Sequence, residues 1–128
     1  METGIVGLLT KVVDGSESAK RQGSGTVDVF STPSLVAFVE KTCWMSIDQF
    51  LEDGQTTVGT KMEIAHMAAT PVGMEVSCQS KLIEIDRKRL VFEFEARDEK
   101  EVIAKGKHER FIIDSEKFLN RANAKCDK

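Results

Sequence analysis

The chain has no excess of positive charge. Eighteen Lys and Arg stand against 21 Asp and Glu, for a formal net charge of -3, so nothing points to a nucleic acid or an anionic membrane as partner. No apolar run approaches the length of a bilayer span, and Met1-Glu2-Thr3-Gly4 lacks the basic stretch that opens a secretion signal. Cysteine is scarce and odd in number. Cys43, Cys78 and Cys126 show no metal-ligand spacing and read as free thiols of a reducing cytoplasm. A Gly-rich phosphate loop, a zinc motif, a serine elbow, a Cys–His nucleophile signature and an internal repeat are all missing.

What is present is an ordinary globular composition, 41% hydrophobic and 30% charged. The length, 128 residues, suits one domain spanning 1–128 with a core that needs no disulfide or metal. Val6, Leu8, Thr10 and Val12 alternate within Gly4–Asp14 and predict a first strand. The polar, Gly/Ser-rich stretch Asp14–Gly25 predicts a mobile loop, either a plain surface connection or a flap over a site.

Thr32-Pro33 opens a helix, with threonine as N-cap and proline where its missing N–H matters least. Leu35, Phe38, Val39, Cys43, Ile47, Phe50 and Leu51 keep helical spacing for about five turns. Glu52-Asp53-Gly54 ends it, with Gly54 as a left-handed cap. Strands follow at Thr57–Met67, Met74–Ile85, Leu90–Arg97 and Glu101–Ile113, and Glu116–Lys125 predicts a short terminal helix. The turns Pro71-Val72-Gly73, Asp86-Arg87-Lys88 and Asp98-Glu99-Lys100 are too short for parallel crossovers, so the sheet should be antiparallel. These elements predict an α+β hot-dog fold, a long central helix wrapped by a curved antiparallel sheet of about five strands. A helix-plus-sheet cone fold is the runner-up, but it places more helix before its sheet. Exposed sheet edges make a homodimer the expected assembly, with tetramers left open.

Three polar groups fall on apolar surfaces. His66 ends the alternating face Val58, Thr60, Met62, Ile64, and histidine is the side chain that titrates near neutrality. A lone strand histidine is more often structural. Glu40 shares a helix face with Val36, Cys43, Trp44 and Ile47, where an unpaired carboxylate needs either a reason or a route to solvent. If both groups look into the same apolar space, they can shift each other's pKa and share proton transfer. Thr32 is the third group: a cap, and also a hydroxyl beside helix N–H groups that favour negative charge. Thr32 and Glu40 are about 12 Å apart along the helix axis. A shared site therefore needs a folded-back loop, residues from two subunits, or contacts with different parts of one substrate. His108 and Arg110 share a strand face with Val102, Ala104 and Ile112; Arg110 reads as a structural partner for a carboxylate or an orienting group. Phe38 and Trp44 read as core. Glu93, Glu95, Lys105, Lys107 and Glu109 read as a solvated strand face.

Taken together, these residues resemble the hot-dog thioesterases of the fluoroacetyl-CoA thioesterase-like branch, from about Phe30 to Phe118. Three stretches carry the likeness: Val29–Glu40, Val58–Gly73 with its His66-Met67-Ala68-Ala69-Thr70-Pro71, and His108–Phe118. The resemblance implies hydrolysis of an acyl-CoA thioester by a dimer with its site near the interface, without metal or other cofactor. It implies Thr32, Glu40 and His66 as the catalytic threonine, glutamate and histidine, with Gly59 and Arg110 at supporting, substrate-binding positions. In that branch a phenylalanine-bearing segment just before the threonine gates the pocket; here Gly25-Thr26-Val27-Asp28 stands there, with Thr26 in place of an aromatic. A short acyl group other than fluoroacetyl is therefore expected. The alternative is a non-catalytic acyl-CoA or small-ligand binding protein on the same dimer. A hot-dog dehydratase fits less well, because its Asp/His pairing within a short segment is not visible.

Overall fold

The computed structural model describes residues 1–126; residues 127 and 128, the end of the expected domain, lie outside the described residues. The elements run β1 (Val6–Val12), a 3-10 turn (Gly15–Glu17), α1 (Ala19–Gln22), α2 (Thr32–Ile47), β2 (Gln55–His66), β3 (Glu75–Asp86), β4 (Arg89–Asp98), β5 (Val102–Asp114) and α3 (Ser115–Asn123). The five strands form one antiparallel sheet in the order β1-β3-β4-β5-β2. α2 packs against all five of them. This is the hot-dog arrangement.

Burial explains why α2 is held there. Leu35, Phe38, Val39, Cys43 and Ile47 leave water together with Leu82, Leu90, Phe92, Phe94 and Ile103 of the sheet, and each large apolar side chain contributes about 1.5–3 kcal/mol by burial. Outside, Glu93 faces Lys107 and Glu95 faces Lys105 across β4 and β5, as the charge alternation predicts. β2 and β5 approach so closely at Gly106 that a Cβ there would lie 1.8 Å from the Glu63 carbonyl oxygen.

Several local expectations need correction. Ser31, not Thr32, caps α2: its hydroxyl accepts from the Ser34 N–H, and Thr32 is the first helical residue. The helix stops at Ile47 and passes into a 3-10 turn over Asp48–Phe50. None of residues 48–51 is fully buried, so no core contact holds a further turn. Gly54 is left-handed, at φ 85, but it sits in the turn that enters β2 rather than at the helix end. The stretch from Asp14 to Gly25 is not a featureless loop. Asp14 and Glu17 form a capping box, the buried Ser18 caps α1, and a bridge from Ser18 to Phe30 ties the segment down. Trp44 is 38% exposed rather than core, whereas Phe38 is buried. Val6, Leu8 and Val12 do alternate in β1, but they face outward.

Candidate active site

A bulge decides which residues of β2 look at the helix. Gly59 pairs with Arg110 and Lys61 with Glu109, which leaves Thr60 as the extra residue. The alternation therefore changes phase. Thr57 and Gly59 share the helix-facing side with Met62, Ile64 and His66, whereas Val58 and Thr60 do not share the His66 face as simple alternation predicts. This phase shift puts a glycine, and no side chain, next to Glu40.

At the far end of β2, His66 Nδ1 and Thr32 Oγ1 are 2.8 Å apart. The Ser31 cap leaves the Thr32 hydroxyl free to make this contact. His66 Nε2 is buried and has no hydrogen-bond partner among the described residues, and such an orphan is uncommon in a folded protein. Burial lowers the His66 pKa below its usual 6.5, outweighing the opposing influence of the Ala68 backbone. The imidazole is thus biased to its neutral form, with one nitrogen engaged by Thr32 and the other still to be satisfied.

Glu40 lies in a second group. Its Oε2 is 3.7 Å from Arg110 Nη1, and a Cβ added at Gly59 would sit 2.8 Å from that oxygen, 3.2 Å from His108 Cε1 and 3.3 Å from Arg110 Nη1. The Glu40 side chain keeps 39% of its exposure while Arg110 keeps 7%. The carboxylate is therefore at the rim of the apolar stripe, anchored by a buried cation. Arg110 is fixed in turn: Nε donates to Thr57 Oγ1 at 2.8 Å and Nη2 to the Thr57 carbonyl at 2.9 Å.

Within one chain these two groups do not meet. Glu40 and Thr32 are separated by two helical turns, about 12 Å, and Gly59 and His66 by about 20 Å of strand. The expectation that Glu40 and His66 of one chain share an apolar space is corrected accordingly. The five residues singled out in the sequence sort into Thr32 with His66 and Glu40 with Gly59 and Arg110. Sequence reading missed the roles of Ser31, Thr57 and His108; a buried arginine on a strand demands hydrogen-bond acceptors, and that was the available signal for the latter two.

Among the described residues no group of three or more His, Cys, Asp or Glu is arranged to hold a metal ion. Cys43, one turn beyond Glu40, is buried, and desolvation pushes its thiol up to about 12, which makes it a poor nucleophile. A groove of about 660 Å³ runs over the charged outer face of the sheet, along Lys81, Glu93, Glu95 and Lys105, and none of the five residues lines it. Among the described residues no helix is long and apolar enough to cross a membrane.

Known proteins share this framework. The fluoroacetyl-CoA thioesterase of Streptantibioticus cattleyicolor is 34% identical over 98 residues, covering 77% of this chain and 70% of that protein. A crystal structure of the fluoroacetyl-CoA thioesterase FlK superposes with a TM-score of 0.93 at 28% identity, over 98% of this chain and 97% of that one. A variant of that enzyme in complex with fluoroacetate and CoA gives 0.88 at 29% identity, over 92% and 99%. The family model described as FlK, fluoroacetyl-CoA-specific thioesterase, matches residues 13–116, and the chain belongs to that family.

Proposed function

We propose that this chain is a single hot-dog thioesterase domain that hydrolyses a small acyl-CoA thioester, and that Thr32, Glu40 and His66 are its catalytic residues. The observation that carries the reading is the pairing with Thr32 of a half-buried imidazole whose enclosed Nε2 has no partner among the described residues, on a chain whose family and relatives are thioesterases. Glu40 attacks the thioester carbonyl directly or deprotonates the water that does. Neutral His66 takes up at its free nitrogen the proton released by the water and returns it to the departing sulfur, and Thr32 holds the imidazole and the thioester in register. On either route one water is consumed, the C–S bond breaks, and a carboxylic acid and free CoA thiol leave. Backbone N–H groups near Gly59 and the start of α2 supply stabilisation for the oxyanion. Arg110 Nη1, 3.7 Å from Glu40 Oε2, keeps the Glu40 side chain aimed.

The working unit in this reading is a homodimer whose sites combine two subunits. β2 is the sheet's edge, paired only with β5 among the described residues, and an unpaired edge invites a second strand. Antiparallel pairing of two β2 strands about a two-fold axis near Met62 and Glu63 brings His66 level with the partner's Gly59, and so near the partner's Glu40. That arrangement joins the two groups that one chain keeps apart.

The space over Gly59 is bounded by a carboxylate, an imidazole and a guanidinium, which favours a small acyl group. With Thr26 in the segment before Thr32, fluoroacetyl is not the expected preference. A thiol-release screen over short, branched, aromatic and fluorinated acyl-CoAs tests the proposal. Turnover of a short acyl-CoA that is lost in Glu40→Gln and in His66→Ala is the expected result. Saturable binding without turnover in the wild type would favour the non-catalytic alternative, and full activity in both variants would remove the residue assignment.

A further inference from the structure

His108 occupies the middle of the sheet's inner face, 1% exposed, opposite Met62 on one side and Phe92 on the other. Its ring lies near-parallel to that of Phe92, with centroids 6.5 Å apart. It is almost fully enclosed, and both of its nitrogens are engaged. Nδ1 is 2.8 Å from the Lys61 carbonyl oxygen, just past the bulge, and Nε2 is 3.1 Å from Arg110 Nη1.

The partners fix the proton. A carbonyl oxygen only accepts, so Nδ1 must carry hydrogen; a guanidinium only donates, so Nε2 must present its lone pair. One tautomer of the neutral imidazole satisfies both contacts. The protonated form would turn an N–H toward the N–H of Arg110 and break the second. Arg110 is then held on three sides, by the Thr57 hydroxyl, the Thr57 carbonyl and His108 Nε2, and the Nη1 held by His108 is the nitrogen facing Glu40.

We infer that His108, with Thr57, is a positioning residue: neutral His108 orients Arg110 Nη1 and through it sets the Glu40 carboxylate beside Gly59. The inference rests on the thioesterase reading for its kinetic consequence but not for its geometry. It differs from a packing role in one respect: what matters at position 108 is an acceptor facing Arg110, not the volume of a ring.

Two variants separate these roles. His108→Phe keeps a ring and removes the acceptor; His108→Gln places an amide oxygen near where Nε2 stood. The expected result is a kcat/KM loss of about 10- to 100-fold in His108→Phe, the scale typical of groups that orient a reacting-site residue, with most of it recovered in His108→Gln. Equal losses in the two His108 variants would overturn the inference. Nitrogen-15 NMR of the free protein keeps the test independent of turnover. A His108 signal with Nδ1 protonated and Nε2 bare, and Arg110 side-chain protons that exchange slowly in wild type and His108→Gln but fast in His108→Phe, support it. The opposite tautomer, or Arg110 exchange unaffected by His108→Phe, overturns it. If no acyl-CoA is turned over while the NMR results hold, the thioesterase reading fails and the positioning geometry stands.

Discussion

The Thr32 hydroxyl and His66 Nδ1 are 2.8 Å apart, joining the first residue of α2 to the last residue of β2 across 34 positions of sequence. The contact exists because Ser31 has taken over the capping of the helix.

Capping and chemistry should therefore separate by one residue. Ser31→Ala is expected to lower stability by about 1 kcal/mol, the usual value of a helix cap. Thr32→Ala, at an exposed position, should change stability by less than about 0.5 kcal/mol while lowering kcat/KM by about 100-fold or more. Thr32→Ser should keep much of the rate. Urea melts and thiol-release kinetics on the three variants check this, and a larger stability loss in Thr32→Ala than in Ser31→Ala would contradict it.

The two glycines in contact-limited positions should behave differently. At Gly59 the nearest atom to an added Cβ is Glu40 Oε2 at 2.8 Å, the tip of a flexible side chain. Gly59→Ala is expected to fold with nearly the wild-type Tm and to lose about 100-fold in kcat/KM, the effect of misplacing a reacting group by an ångström. At Gly106 the nearest atom is backbone, the Glu63 carbonyl oxygen at 1.8 Å, and the strands must part. Gly106→Ala should lose about 3 kcal/mol, the upper end of overpacking. Equal Tm values for both variants would count against this account.

Acid should destabilise the fold earlier than carboxylates alone would. His66 and His108 are both held below 6.5, in each case chiefly by burial. The folded chain then binds fewer protons than the unfolded chain just below that value. The stability from keeping them neutral is complete above the unfolded pKa, near 6.5, and is lost as pH falls from there towards the folded values. Asp14, Asp98 and Glu109 are lowered from 3.8, 3.8 and 4.5 and act only at lower pH. Tm should drop between pH of about 7.5 and about 5.5, with a smaller drop in His108→Gln. The acid limb of kcat/KM should also lie below 6.5, since neutral His66 is the form with a free nitrogen lone pair. A Tm that stays flat across this window would refute the assignment of both imidazoles.

Mixing two inactive variants tests whether a site spans two subunits. In a dimer of Glu40→Gln with His66→Ala, a site built across the interface has one intact copy per dimer. Random exchange at equal amounts should then restore about a quarter of wild-type activity. A site contained in one chain leaves the mixture as inactive as its components.

The three thiols should divide by burial. Cys126 is exposed, whereas Cys43 and Cys78 are buried and pushed up to about 12 and about 11. A thiol reagent at neutral pH should titrate one cysteine in the native protein and all three after denaturation; a fast second thiol would show that the α2–β3 contact opens.

The sequence by itself determined the five strands, α2 and α3, and their order, while the turn and α1 between Asp14 and Gly25 read only as a loop. Burial periodicity along α2 and alternation along β3, β4 and β5 depend on neighbours a few positions away, and the turns Asp86-Arg87-Lys88 and Asp98-Glu99-Lys100 left only antiparallel pairing. The same local patterns singled out Glu40 and His66 as polar groups on apolar faces. Tertiary structure decided the rest. Only the register between β2 and β5 shows that Thr60 is a bulge, so only the folded chain reveals that Gly59 and His66 look the same way. Only packing shows that Ser31 caps the helix and frees Thr32, or that His108 has a carbonyl on one nitrogen and a guanidinium on the other. The β2–β5 register, the Thr32–His66 contact and the Lys61–His108 contact join residues far apart in sequence, 34 and 47 positions for the two side-chain contacts, and no periodicity within a single segment encodes them.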